Sequence, residues 1–509
     1  MEKEIKVGKK IIDILMFSMY PDAKIIYREY IQNARDAIKD AVEAGVLSSF
    51  QDGHISINID NNTNTIEIKD NGIGVKEDDI FEKLLNIADS TKDGETSAGQ
   101  FGIGRLVGGG YCRKMSFKTS FKGEKTASIV EYDIEKARKI IDDDNNKSSA
   151  TQLIEQIIDI SSEAEQDNEH YFIAKLEGVK NDYPDLLNET LITDYLQQVA
   201  PIDYKLVFKN QLVNISNNKF KNIHNSIDHF RISVNDNLDI RKTYTTKIEG
   251  TQDDIDSLQY FEIKDDKFGS LAWGWYAITK YSKKIPMSDK SRCIRLRKHN
   301  IMLGNETFFD EYFKEERGNY YFYGEVHITH PKLKPDSSRR GLAPTPEAAR
   351  FKILVKEKFE ELHNLYYLAN QIKTATRDIV VAKTEEQQSP EKLPTATKKL
   401  ESAITSSKAQ SAEGKKVIEL YTKKLAEIIK SPTNKDISQP QNEGGTTSIT
   451  TPRFSNQTIN KFDPLKLFYS EQEVAIVKRA FEYLLKHCPS QYSKLIDELI
   501  NKVIKDLSK

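Results

Sequence analysis

The sequence predicts an α+β fold: an N-terminal α/β domain, a second mixed α/β domain and a helical C-terminal part. Three observations carry this. Residues 11–45 hold a long helical periodicity. Residues 55–59 (ISINI) and 65–69 (TIEIK) alternate apolar and polar side chains, the two-residue period of half-buried strands. The short Asn-Asn-Thr-Asn between them makes an antiparallel hairpin the natural connection.

Along the chain, these patterns divide into an N-terminal domain over residues 1–210, with an acidic, polar stretch at 141–169 expected to be a surface insertion. Within it, 185–209 reads as a helix followed by a strand (YKLVF). A second α/β domain spans 211–365, with strands near 271–279, 293–303 and 320–329. A long helical pattern starts at Pro346, and residues 366–430 form a helical or coiled segment interrupted by a polar, proline-containing stretch at 384–400. Residues 431–463 are rich in Ser, Thr, Asn, Gly and Pro and bury too little to order themselves, so a flexible linker is expected. Residues 464–509 then form a C-terminal amphipathic helical unit.

Composition narrows the function. The 509 residues are 38% hydrophobic and 30% charged, with a net charge of −2, so bulk charge favours neither a nucleic acid nor a membrane surface. Local basic clusters, Lys280–Lys298 and the Lys-rich 398–430, keep a nucleic-acid partner open. The three cysteines (Cys112, Cys293, Cys488) lie far apart without metal-ligand spacing, which suits a reducing, cytoplasmic setting. The first residues (MEKEIKVGKK) lack a signal-peptide core, and no run of 18 apolar residues exists, so no membrane role is expected.

Three segments carry chemistry. In YREYIQNARDAIKD, Glu29, Asn33 and Asp36 stand at i, i+4 and i+7, on one narrow helical stripe beside an apolar arc of Ile26, Tyr30, Ala34, Ala37 and Ile38. Asn33 offers a neutral oxygen to Mg²⁺, which also takes phosphate oxygens, and Glu29 suits a general base for an attacking water. Read alone, the stripe is also what a solvated helix face looks like. In TIEIKDNGIG, Asp70 is in phase with Ile66 and Ile68, so its carboxylate points inward and needs a partner. Gly72 and Gly74 bare the backbone where a ligand or another chain segment comes close. An amino-bearing heterocycle such as adenine suits that acceptor, although DNG is also ordinary turn chemistry. Finally, Asn86–Gly110 holds seven glycines, six of them in SAGQFGIGRLVGGG, a loop able to cradle phosphates with backbone N–H groups but matching neither a Walker A nor a dinucleotide fingerprint.

Together and in this order, E-x-x-x-N-x-x-D, D-x-G-x-G and G-x-x-G-x-G resemble the GHKL ATPase superfamily, and most of all its ninety-kilodalton heat-shock chaperone branch. The opening EIKVGKKIIDILMFSMYPDAKIIYREYIQNARDAI, then IKDNGIGVKEDDIFEKLLNIADSTK and GQFGIG, carry the resemblance. It implies a two-layer α/β sandwich of the Bergerat type, binding ATP with Mg²⁺. Glu29 would be the general base, Arg28 the residue holding it, and Asn33 the metal ligand. Asp70 would take the adenine amino hydrogen. Asp36, Gly72, Gly74, Ser90 and Lys92 would surround the nucleotide, while Gly99, Gln100, Phe101, Gly102, Ile103 and Gly104 would close over the phosphates as a lid. Three departures stand out: Arg105 replaces an aromatic residue, the triple glycine at 108–110 should loosen the end of the lid, and HYFIAKL lacks the threonine expected near adenine.

Further along, IRLRKHNIMLGN and GEVHITHPKLKPDSSRRGL resemble the front of that family's middle, or transducer, domain. There an x-S-R loop brings an arginine to the γ-phosphate. Ser338 and Arg339 match, with Arg340 a rival, and a planar guanidinium suits developing phosphate charge. The implied activity is an ATP-hydrolysing clamp that closes and dimerises on ATP, acting on a protein client. An ATP-gated clamp on DNA, of the MORC or MutL kind, is the alternative.

Overall fold

The computed structural model describes residues 7–18, 22–86, 104–213, 227–237, 239–251, 253–336, 339–384 and 392–430. All of them lie within one compact unit, Met1–Ser431. The flexible linker and terminal helical unit expected at 431–463 and 464–509 lie outside the described residues.

The first helical stretch is broken. A short helix, α1 (Lys10–Asp13), runs into a π-helical turn at Ile14–Ser18, and α2 begins only at Ile25 and ends at Glu43. Along α2, Ile26, Tyr30, Ile31, Ala34 and Ile38 recur at helical spacing and are buried. They face a sheet that starts with the expected hairpin, β1 (His54–Asp60) and β2 (Thr65–Asp70), with Ile57 opposite Ile68 and Ile59 opposite Ile66.

Next come β3 (Lys114–Ser120), β4 (Thr126–Asp133), α3 (Ile134–Asp142), α4 (Ala150–Ile157), β5 (Ile158–Ala164) and β6 (Tyr171–Glu177). After α5 (Glu189–Val199) and α6 (Leu206–Val213), β7 (Arg231–Val234) returns to the sheet parallel to β1. The seven strands lie in the order β5-β4-β3-β6-β2-β1-β7. One face of β1 and β2 is buried and the other is not, as a two-layer sandwich requires.

Three sequence expectations change here. The 141–169 stretch, expected as a surface insertion, is exposed along β5 but is built into the domain, because α4 buries Leu153, Ile154 and Ile157 and β5 forms the sheet edge against β4. YKLVF is not a strand: Phe208 and Leu212, four residues apart, are buried while Val207 is exposed, so the helical period decides a run too short to assign from sequence. The first sheet also reaches beyond residue 210, since β7 belongs to it.

The second sheet holds β8 (Ser257–Asp265), β9 (Gly269–Ile278), β10 (Cys293–Lys298), β11 (Ile301–Leu303) and β12 (Tyr323–Ile328), in the order β11-β10-β12-β9-β8. The run at 293–303 is therefore two strands, joined by a two-residue turn at His299–Asn300 with φ of +50° and +60°. A 39-residue helix, α7 (Pro346–Thr384), covers this sheet with Phe351, Val355, Phe359, Leu362 and Ala369, so residue 365 falls inside one continuous helix. Helices α8 (Lys392–Thr405) and α9 (Ala412–Lys430) follow, and α8 begins within the polar stretch expected at 384–400. Among the described residues no helix is long and apolar enough to cross a membrane.

A buried polar network joins the sheets. Glu325 on β12 accepts from Arg297 Nε (2.6 Å), from Lys242 Nζ (3.0 Å) and from the Tyr204 hydroxyl, and it meets His327 Nε2 at 2.9 Å. Arg297 Nη2 donates to the carbonyl of Gln198 at the end of α5 (2.8 Å), while Lys242 Nζ also donates to Asn300 Oδ1 (2.7 Å). Burial alone would raise Glu325; Arg297 and Lys242 override it and hold its carboxyl well below the usual range. Burial, aided by Arg297, brings Lys242 down to about 7.

Two histidines belong to this region. Burial lowers His327 to about 4 against the opposing pull of Glu325. Burial, then Arg35 and Lys298, lowers His299 to about 3, while Asp36 opposes them. Both stay neutral when folded but protonate near pH 6.5 when unfolded, so the unfolded chain takes up protons first. Stability should therefore fall as pH drops from about 6.5 toward 4, each histidine contributing a slope approaching about 1.4 kcal/mol per pH unit. Urea unfolding at pH 7 and pH 5 checks this. His327→Gln should flatten the dependence, and an unchanged midpoint between the two pH values contradicts it.

Candidate functional site

Helix α2 carries the first motif and buries most of it. Glu29 and Asp36 are buried, and Asn33 is half-buried one turn beyond Glu29. Two guanidinium groups meet Glu29. Arg339 lies 3.1 Å from Oε1 through Nε and donates to Oε2 from Nη2 at 3.4 Å; Arg28 Nη2 stands 3.8 Å from Oε1. The Arg339 contact spans 310 positions. Arg340, the rival, is exposed, and its backbone N–H donates to Asp336 Oδ1 (3.1 Å).

Arg339 reaches Glu29 from a left-handed backbone at φ +58°, a conformation that disfavours side chains. Its N–H donates to the Asp336 carbonyl (3.1 Å), and its own carbonyl accepts from Gly304 (3.0 Å), so a tight loop holds the strained residue. Arg28 leaves Nε and Nη2 without a hydrogen-bond acceptor among the described residues. This corner therefore has more donor capacity than Glu29 uses, which fits an anionic group. Gly104 belongs here too, since a Cβ on it would come within 2.7 Å of Glu29 Oε2.

At the second motif Asp70 is buried, as its phase with Ile66 and Ile68 predicts, and its Oδ1 accepts the N–H of Gly72 (2.8 Å). The two glycines serve contacts within the chain. A Cβ on Gly72 would meet Ala37 Cβ at 2.6 Å, and one on Gly74, at φ +72°, would meet the Ser120 carbonyl at 1.9 Å. The Ile73 N–H donates to the Ala37 carbonyl (3.0 Å), tying this loop to α2.

Thr119 on β3 escaped the sequence reading. Its buried hydroxyl accepts from the Val75 N–H (2.9 Å) and donates to the Tyr171 carbonyl (2.9 Å), beside the D-x-G-x-G loop. The signal was there: Thr119 is in phase with buried Met115 and Phe117, so a hydroxyl faces the core. Asp36 points to its neighbour, accepting from Arg35 Nη1 at 2.9 Å.

Ser90, Lys92, Gly99, Gln100, Phe101, Gly102, Ile103 and Ser338 lie outside the described residues. A cleft of about 1220 Å³ opens between α5 and the second-sheet loops, lined by Arg28, Tyr195, Gln198, Arg295, Met302 and Arg339. It reaches Arg28 and Arg339, but Glu29, Asn33 and Asp70 do not line it. Among the described residues no cluster of three His, Cys, Asp or Glu could hold a metal. The expected Mg²⁺ site does not need one, because Asn33 would be its protein ligand beside phosphate oxygens.

Two further expectations are corrected. The triple glycine, expected to be a flexible end of the lid, is close-packed. Gly108–Gly110 are buried in a 3₁₀ helix, where a Cβ would meet the Tyr30 hydroxyl (2.4 Å), Ile134 Cδ1 (3.2 Å) or the Met16 carbonyl (2.8 Å). Arg105, in place of an aromatic residue, donates to the carbonyls of Leu84 (3.1 Å) and Asn86 and so holds the turn after Phe81–Leu85. The basic stretch 280–298 offers less charge than its sequence suggests, because Arg295, Arg297 and Lys298 are buried. Lys290 stands 3.3 Å from Asp194.

Residues 24–165 match the model of the family described as histidine kinase-, DNA gyrase B-, and HSP90-like ATPase. The chaperone protein HtpG of Bacillus licheniformis is 26% identical over 239 residues, 42% of this chain and 37% of that protein. HtpG of Idiomarina loihiensis is 26% identical over 209 residues, covering 35% and 30%. HtpG of Clostridium acetobutylicum is 33% identical over 112 residues, covering 19% and 18%. The chain thus spans less than two fifths of the length of these relatives.

Gly74 provides a clean test of the second motif. Gly74→Ala meets both a left-handed φ and a backbone oxygen, so a loss of at least about 2 kcal/mol is expected. Gly45, at φ +69° with nothing within 4 Å of a Cβ, isolates the backbone effect. Gly45→Ala should cost about 1 kcal/mol. Equal melting temperatures for the two variants would show that the Ser120 contact does not constrain the loop.

Proposed function

We propose, from the premise that residues 24–165 form a GHKL-type, HtpG-like ATPase domain, that this chain binds and hydrolyses ATP as a chaperone-like clamp. The observation that carries the proposal is the meeting of Glu29 with Arg339 across 310 positions, in a corner where Arg28 also converges. The three groups have distinct tasks in phosphoryl transfer to water.

Glu29 takes the proton of the attacking water. Arg28 holds the Glu29 carboxylate from the side. Arg339 now spends its guanidinium on Glu29; an incoming γ-phosphate competes for it, which frees Glu29 to act as base and places positive charge where the transition state needs it. Asn33 would offer its carboxamide oxygen to Mg²⁺, which when bound would neutralise phosphate charge. Asp70, fixed by the Gly72 N–H, accepts from the adenine amino group, with Asp36, Gly72 and Gly74 around the nucleotide. By the same resemblance, Ser90 and Lys92 would lie beside the nucleotide and Gln100–Gly104 would close over its phosphates. The clamp works as a homodimer that closes on ATP, in the cytoplasm, on a protein client. A DNA target is less favoured, since three of the cationic side chains in 280–298 are turned into the fold.

Four variants test this. Glu29→Ala should keep ATP affinity while turnover falls by at least about 10²-fold. Hydrolysis at the unmodified rate removes Glu29 from the role of base. Asp70→Asn should weaken ATP binding at least about tenfold by titration calorimetry, through loss of a charged acceptor; an intact Kd places the adenine contact elsewhere. In the same assays Arg339→Ala slows turnover with near-normal binding, whereas Arg340→Ala leaves both unchanged.

A further inference from the structure

The second sheet touches α2 at another place, two turns from Glu29. The His299–Asn300 turn of the β10–β11 hairpin lies against Arg35. Arg35 Nη2 meets His299 Nδ1 at 3.3 Å; Arg35 Nε donates to Asp228 Oδ2 (3.0 Å), and Nη1 donates to Asp36 Oδ1 (2.9 Å). Asn300 holds the same assembly from below: its Nδ2 donates to the Asp228 carbonyl (2.9 Å), and its Oδ1 accepts from Lys242 (2.7 Å).

His299 and Asn300 both take positive φ, a region that among side-chain-bearing residues is entered mainly by Asn, Asp and His. A guanidinium only donates, so Nδ1 must be the acceptor. The neutral ring then carries its proton on Nε2, which is buried with no hydrogen-bond partner among the described residues. A buried polar atom without a partner among the described residues is thus tolerated at this residue. What His299 contributes in return is an acceptor aimed at Arg35.

We propose that the His299–Asn300 turn is a positioning element: His299 fixes the Arg35 guanidinium, and Arg35 fixes the direction of the Asp36 carboxylate on α2. The consequence for ATP rests on the nucleotide reading above, whereas the hold on α2 does not. His299 touches no substrate and acts through Arg35. A change in the placement of the second sheet would reach Asp36 by this route, independently of the Arg339 loop.

The test uses the full chain and two substitutions. His299→Gly suits the turn but removes the acceptor. His299→Asn also suits the turn and returns an oxygen close to where Nδ1 stood. With His299→Gly, amide exchange over residues 33–39 of α2 should quicken about tenfold and the ATP Kd should weaken about tenfold, with kcat little changed. His299→Asn should restore both. Unchanged α2 exchange in His299→Gly overturns the proposal, and so does equal loss in both variants, which would assign the effect to the missing ring alone. If the unmodified chain binds no ATP, the nucleotide reading fails by itself, and the exchange pattern still decides the positioning role.

Discussion

Much of this architecture depends on one buried carboxylate. Glu325 is fully enclosed in the second sheet and satisfied by Arg297, Lys242, His327 and Tyr204. Two of these partners also reach the first domain, Arg297 through the Gln198 carbonyl and Lys242 through Asn300, which in turn bonds the carbonyls of Ile202 and Asp228. Removing Glu325 would leave two buried cations without their counter-charge, a change that costs about 3–5 kcal/mol where it has been measured. A pair of sheets joined by apolar contacts alone could slide. Directional bonds to a central charge give the junction one geometry.

That geometry matters because the candidate catalytic corner is assembled from both sides of it. Glu29 comes from α2, and Arg339 comes from a loop whose carbonyl is held by Gly304, just beyond β11. The strained φ of Arg339 persists because the loop around it is tied down by Asp336 and Gly304. A small displacement of the second sheet would therefore break the Glu29 contact before it disturbed either hydrophobic core.

What the sequence made legible was local and periodic. The inward phase of Asp70 could be read because only one face of β2 is buried, so a carboxylate two residues beyond Ile68 has to point the same way. The stripe on α2 was legible for the same reason. Long-range and short-run features were not. YKLVF is too short for its period to be decided until Phe208 and Leu212 are seen in the same core. The glycines at 108–110 look flexible in one dimension and are close-packed in three, because their neighbours Tyr30, Met16 and Ile134 come from elsewhere in the chain. Basic residues such as Arg297 look like surface until their partner Glu325, 28 positions away, is placed. Which of two adjacent arginines would reach the γ-phosphate was open in the sequence, and the contact of Arg339 with Glu29, 310 positions away, could not be read there at all.

Helix α2 is thus held by the second sheet near both ends of its polar stripe. Arg339 sits on Glu29 and His299 on Arg35, beside Asp36. Seven residues of helix separate Glu29 from Asp36, about 10 Å along the axis. Two grips that far apart resist rotation and tilt as well as translation, which neither could do alone. They also differ in kind. The contact at Glu29 is between full charges and can be exchanged for another anion, whereas the contact at Arg35 ends on a neutral ring that burial keeps from charging. An anion that displaced Arg339 from Glu29 would leave the second contact in place, with Arg35 still paired to Asp228 and the Ile26, Tyr30, Ala34 and Ile38 face of α2 still packed in the core.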